Sequence, residues 1–174
     1  GEFFCHVNLR VPGMHNIYNA LAAAAAADCD GITAASIARG LSGFSGIRRR
    51  MEYKGRLNGC ELYDDYGHHP TEIAATLDGA RRLCGERRLV CAFQPHTYTR
   101  TVALFDGFVA ALRKADRVLL TPIYAARERD TLGCSSEALA AAIGERASVY
   151  GNVSGLAAAL EAELREGDMA VIMG

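Results

Sequence analysis

The chain has 174 residues, half of them hydrophobic, and a formal net charge of −1. That is enough apolar material for one good core, or for one domain plus part of another. A near-neutral balance without a long single-sign run argues against nucleic acid or an acidic membrane surface as a general partner. None of the six cysteines lies at metal-ligand spacing from another, so a zinc knuckle is not expected, and the pattern suits a reducing cytosol. Cys91, in the middle of an apolar run, reads as a small core hydrophobe. No signal peptide is apparent, and the apolar run 20–27 is too short to span a bilayer and stops at Asp28. Gly1 and Gly174 both read as cuts from a longer protein.

Along the chain, residues 3–11 alternate loosely and predict a strand, punctuated by Pro12-Gly13. Alanine propensity predicts a helix over 14–27, and a second helix follows over 33–41 between Gly31 and Gly43. Phe44-Ser45-Gly46-Ile47 breaks the pattern, which places a domain boundary near 46–48. Strands over 51–57 and 60–64 flank Asn58-Gly59, a strong hairpin signal. The remainder alternates. Helices are predicted over 71–83, 102–113, 136–143 and 154–165, and strands over 89–93, 117–120, 147–150 and 169–173. Such alternation predicts an α/β fold with a doubly wound, mostly parallel sheet, the first hairpin strand forming an antiparallel edge.

Three of these strands run into polar, ligand-type residues. The first ends in Asp64-Asp65-Tyr66-Gly67-His68-His69-Pro70-Thr71-Glu72, where two carboxylates and two imidazoles crowd a strand-to-helix turn. The second, 89–93, is continuously apolar, as expected of a strand buried on both faces, and ends in Gln94-Pro95-His96-Thr97-Tyr98-Thr99-Arg100-Thr101. The third, 117–120, ends in Thr121-Pro122-Ile123-Tyr124-Ala125-Ala126-Arg127-Glu128. In an open parallel sheet all three clusters lie along one edge, where ligands of such folds bind. An ordinary polar turn remains the alternative for the first, and chance placement for the three together. If their strands are neighbours, the His96–Arg100 turn lies beside the His68-His69 turn. Near the start, Asn16 and Asn19 share one helical face, which suits either simple capping or recognition of a nucleobase edge. Arg48-Arg49-Arg50 is the only basic cluster, and a solvated linker charge would explain it equally well.

Together these segments resemble the Mur ligases. The resemblance is carried by Pro12-Gly13-Met14-His15-Asn16-Ile17-Tyr18-Asn19-Ala20-Leu21-Ala22-Ala23, Phe44 through Arg50, Asp64 through Glu72, Phe93 through Thr101 and Ile123 through Glu128, in the family's order. It implies a three-domain enzyme, of which this chain holds residues 1–46 as the end of a central ATPase domain and 47–174 as a C-terminal Rossmann-like domain. The implied reaction is ATP-dependent amide formation, joining L-alanine to UDP-N-acetylmuramate through an acyl phosphate in peptidoglycan precursor synthesis. ATP and Mg2+ are the implied cofactors, with the magnesium ligands in the rest of the central domain and no metal site among the residues here. The chain has no Gly-x-Gly-Lys-Thr phosphate loop, so the expectation is that it is inactive alone.

By the same resemblance, Asn16 and Asn19 match the pair associated with adenine. Arg49 or Arg50 matches the arginine that reaches the nucleotide, and Asp65 the aspartate at the ribose. His68 or His69, with Arg100, match residues around the incoming L-alanine, the expected catalytic set, and His96 and Arg127 join them as substrate contacts. Arg100 suits the alanine carboxylate because guanidinium binds carboxylate in a bidentate fork. Some relatives have Arg where this chain has Thr97, which leaves more to Arg100 and His96. His69 could instead serve only as a restrained residue before Pro70, and Arg127 with Glu128 as an intraloop ion pair. A cytoplasmic location is expected, as the cysteine pattern suggests; homo-oligomer formation is left open. Two alternatives stand: a murein peptide ligase that recycles tripeptide, and a non-catalytic nucleotide-binding domain. The second lacks a strand followed by G-x-G-x-x-G.

Overall fold

The computed structural model describes residues 2–11, 13–129 and 133–174. They form two compact units, Gly1–Arg48 and Arg49–Gly174.

The first unit carries α1 (Met14–Cys29) and α2 (Ala34–Gly43). Helix α2 is capped by the Thr33 hydroxyl, which accepts the Ser36 N–H. Helix α1 begins after Gly13 with no side-chain cap, so neither Asn16 nor Asn19 is its N-cap. None of its residues is fully buried, and Met14, Ile17, Tyr18 and Leu21 are exposed. The strand expected over 3–11 does not form. A strand exists only within a ladder, and among the described residues no segment pairs with this one; its Asn8 N–H donates instead to the Ser42 hydroxyl.

The second unit runs β1 (Glu52–Leu57), β2 (Cys60–Asp65), α3 (Pro70–Cys84), β3 (Leu89–Phe93), α4 (Tyr98–Ala103), α5 (Phe105–Leu112), β4 (Arg117–Leu120), α6 (Ser136–Ile143), β5 (Ala147–Val149), α7 (Val153–Glu163) and β6 (Met169–Met173). The sheet order is β1-β2-β6-β3-β4-β5. Only β1 and β2 pair antiparallel; the other pairs are parallel, bearing out the predicted mixed sheet with an antiparallel edge. Asn58 and Gly59 both have positive φ, at 52° and 78°, as a two-residue hairpin turn requires.

Strand alternation divides the core in two. Leu89, Cys91, Phe93, Val171 and Met173 face α3, α5 and α6, against Ile73, Leu77, Phe108, Leu112 and Leu139. Val90, Ala92 and Ala170 face α7, against Leu156, Leu160 and Leu164. Cys91 is a buried core residue, and burial pushes its thiol up to about 12. At the opposite edge from the ligand-type turns, Arg117 holds Glu163 through bonds of 2.6 and 2.8 Å, and Tyr150 donates to the same carboxylate.

The last strand inserts between β2 and β3, so the turns after those two strands are not neighbours. At the usual strand spacing they lie about 10 Å apart along the edge. The helix expected over 102–113 starts earlier and breaks at Leu104, giving α4 and α5.

Candidate functional site

Four carboxyl strand ends, those of β2, β6, β3 and β4, meet one edge of the sheet. The turn after β2 is built around two carboxylates. Asp65 is 2% exposed, and both its oxygens are engaged: Oδ1 accepts the Gly67 N–H at 2.8 Å, and Oδ2 accepts the Met51 N–H at 2.9 Å. The Tyr66 N–H donates to the Arg49 carbonyl at 2.8 Å. The turn thus grips the segment 49–51, in which Arg49 and Met51 are both left-handed, at φ 56° and 46°. Asp65 acts here as a brace rather than as an open acceptor for a ribose. Gly67 has no room for a side chain, since an added Cβ would lie 2.8 Å from Met173 Cε and 2.9 Å from Asp65 Oδ1.

Asp64 points to the other face of the sheet. It pairs with Arg49 at 3.5 Å, while the Arg49 guanidinium lies 4.5 Å from the Tyr66 ring centre and donates to the Gly174 carbonyl at 2.9 Å. This pair helps line a cavity of about 170 Å³, together with Gln94, Thr121, Ala92, Ile172 and Leu156. Arg50 reaches Glu72 at 3.6 Å.

Helix α3 begins with a reciprocal cap. His69 Nδ1 accepts the Thr71 N–H at 3.3 Å, and Glu72 accepts the N–H groups of His68 and His69. His69 therefore serves as the helix N-cap as well as the residue before Pro70. Burial pushes the Glu72 carboxyl up, and the His68 and His69 donors outweigh it, leaving the group below its usual value. The His68 ring donates from Nδ1 to the Tyr66 carbonyl at 3.0 Å, and Glu72 lies 3.8 Å from the same nitrogen.

The turn after β3 carries His96 and Arg100. Arg100 Nη1 lies 3.5 Å from His96 Nδ1, and the His96 ring sits 5.4 Å from that of Tyr124. Among the described residues Arg100 pairs with no carboxylate. Thr97 has φ 67° and ψ 142°, a conformation a β-branched residue rarely adopts. The loop after β4 is laced to this turn: Tyr124 N–H donates to the Pro95 carbonyl, and Thr97 N–H to the Tyr124 carbonyl. Arg127 is exposed, and no ion pair joins it to Glu128 among the described residues. The Glu128 carboxylate instead accepts both the N–H and the hydroxyl of Thr99.

The structure therefore groups Arg49 with Asp64, Asp65 and Tyr66, Arg50 with His68, His69 and Glu72, and His96 with Arg100 and Tyr124. Asn16 and Asn19 belong to the first unit. Sequence reasoning missed Asp64, Tyr66, Tyr124 and the use Glu128 is put to. Strand alternation could have shown that Asp64 and Asp65 face opposite ways; nothing local signals the others. Among the described residues no three His, Cys, Asp or Glu groups converge to hold a metal ion, and no helix is long and apolar enough to cross a membrane.

A mixed six-stranded sheet with charged and imidazole side chains gathered at its carboxyl edge is the architecture of an α/β ligand-binding domain. The family model for the Mur ligase glutamate ligase domain matches residues 49–174. The UDP-N-acetylmuramate–L-alanine ligase of Lawsonia intracellularis is 44% identical over 178 residues, which cover 100% of this chain and 39% of that protein. Among solved structures, the UDP-N-acetylmuramate–alanine ligase of Thermotoga maritima superposes with a TM-score of 0.79 at 27% identity, covering 97% of this chain and 36% of that one. A murein peptide ligase from Psychrobacter arcticus gives a TM-score of 0.67 at 31% identity, covering 97% and 35%. The chain belongs to the Mur ligase family, and it spans less than half the length of these relatives.

Proposed function

We propose that this chain is the C-terminal part of an ATP-dependent ligase that joins L-alanine to UDP-N-acetylmuramate in peptidoglycan precursor synthesis, in the cytoplasm. Residues 1–46 close the central ATP-binding domain, and 47–174 are the domain that receives the amino acid. In this reading ATP phosphorylates the muramic acid carboxylate, the alanine amine attacks the acyl phosphate, and phosphate leaves. Mg2+ would be held by the central domain and would neutralise charge on the transferring phosphoryl group.

The observation that carries the reading is Arg100 with His96 at the carboxyl end of β3, a guanidinium unclaimed by any described carboxylate. A fork of N–H donors there can take the L-alanine carboxylate and aim its amine. His68 and His69 flank the same edge, and Arg127 lies on the loop that laces the His96 turn. Arg49 and Arg50 are assigned to the nucleotide. With Asp65 occupied by main-chain donors, Asp64 beside Arg49 is the carboxylate better placed to meet a ribose hydroxyl. Asn16 and Asn19 are assigned to adenine on the first unit.

Phosphate release by the full-length enzyme from ATP and UDP-N-acetylmuramate tests this. Release should require L-alanine; release that requires the tripeptide instead would overturn it. That second reading, a peptide-recycling ligase, is favoured by one observation: the Psychrobacter arcticus enzyme is more identical to this chain than the Thermotoga maritima one, although it superposes less closely.

A further inference from the structure

Helix α4 starts badly. Its N-cap residue, Thr97, supplies no side-chain cap bond and sits at φ 67° and ψ 142°. A β-branched residue in that region costs about 1–3 kcal/mol and persists only where its surroundings over-determine it. Three groups do so here. The Thr97 N–H is held by the Tyr124 carbonyl at 2.9 Å. The Thr97 carbonyl accepts the Thr101 N–H at 3.1 Å and the Thr101 hydroxyl at 2.7 Å. A free N–H of the first turn is met by Glu128, which arrives from 29 residues further along: Thr99 donates to it from its N–H at 3.0 Å and from its hydroxyl. Arg100 follows Thr99 directly, on the only turn of helix between the strained residue and Thr101.

We propose that Glu128 is a positioning residue for Arg100: by capping α4 from the loop after β4, it holds the strained entry to the helix and so fixes where the guanidinium points. This rests on the reading of Arg100 as the group that holds the amino acid carboxylate. Glu128 itself touches neither substrate nor reacting atoms in this account. The N–H and the hydroxyl of Thr99 converge on its carboxylate, and the hydroxyl does most to hold the group below its usual value. Where a carboxylate accepts from two donors of one turn, its loss releases the turn as a whole. The glutamate thereby couples the loop after β4 to the site after β3, and the Arg127 beside it is carried along.

The experiment compares Glu128→Ala and Glu128→Gln in the full-length enzyme. Removal of the carboxylate should raise the KM for L-alanine about tenfold to a hundredfold and leave the KM for ATP and the melting point nearly unchanged. Gln keeps one acceptor oxygen and should recover part of the loss. In the same variants, hydrogen exchange at the Thr99 and Thr101 amides should speed up in Ala and stay closer to wild type in Gln. An unchanged L-alanine KM in Glu128→Ala, or equal rises for L-alanine and ATP, would overturn the proposal. If the wild-type enzyme does not use L-alanine, the functional reading falls, and exchange alone then judges Glu128. Protection lost in Ala keeps it as the holder of the turn, and protection retained removes it.

Discussion

Asp65→Asn separates two jobs that a carboxylate at this position could do. In the structure Asp65 accepts the Gly67 N–H at 2.8 Å and the Met51 N–H at 2.9 Å, the first of them fully buried. A hydrogen bond to a charged group contributes about 1.5–3 kcal/mol. Asparagine is the same size but offers one acceptor oxygen and turns an NH2 group toward the other N–H. One charged bond is lost outright and the other becomes neutral; the Met51 N–H is only part-buried, so water recovers some of the loss. The net cost is about 2–4 kcal/mol. That figure is net of the strain relieved at Met51, which the brace holds left-handed against a preference of about 1–2 kcal/mol. For a chain of this length that corresponds to a fall in melting point of roughly 4–16 °C, read by thermal unfolding with circular dichroism. The KM for ATP in the full-length enzyme is measured alongside. A melting point within about 2 °C of wild type together with a raised ATP KM would refute the brace and restore Asp65 to the ribose.

Three further outcomes are expected. Arg100→Lys should raise the KM for L-alanine about tenfold to a hundredfold with little change for ATP, because lysine keeps the charge but loses the planar fork; steady-state phosphate release checks it, and equal changes would move Arg100 to the nucleotide. Gly67→Ala should cost about 1–3 kcal/mol in urea unfolding, since the new methyl meets Asp65 Oδ1, which is fixed, as well as the flexible end of Met173. Glu163 is held at about 2, chiefly by its bonds to Arg117, so its folded value is depressed below the unfolded one. Its contribution is therefore present above about pH 4.5 and is lost as pH falls toward 2. Glu163→Gln should flatten the stability curve across that window, as urea midpoints at stepped pH would show.

Where the sequence predicts this fold well, it does so through local physics. Residues 89–93 and 169–173 are short, unbroken apolar runs, and 117–120 is an apolar run led by Arg117; each is bounded by charged or turn residues and is a strand with those bounds. Helix α6 coincides with its predicted residues because Ser135 caps it and Gly144 ends it. What the sequence withholds is nonlocal. Residues 3–11 alternate like a strand, but alternation cannot supply a partner ladder. No local feature of 169–173 says that the last strand will insert between β2 and β3, and that insertion alone separates the His68 turn from the Arg100 turn. The start of α4 is set by Glu128, far along the chain, so a reading of 94–101 by itself puts the helix four residues late, at Val102 rather than Tyr98.

The adjacent aspartates show how this bears on the site. Two neighbouring carboxylates at a strand end must face opposite ways, because side chains alternate across a sheet. Which of them is consumed by the fold depends on which face α3 covers. Asp65 lies on that face, under the turn that starts α3, and is taken up by main-chain donors. Asp64 lies on the α7 face, where the sheet edge is open beside Arg49 and the cavity. A family pattern read along the chain singles out Asp65. The backbone gives that residue to stability and leaves the other with a cation and open space, which is what binding a polar ligand requires.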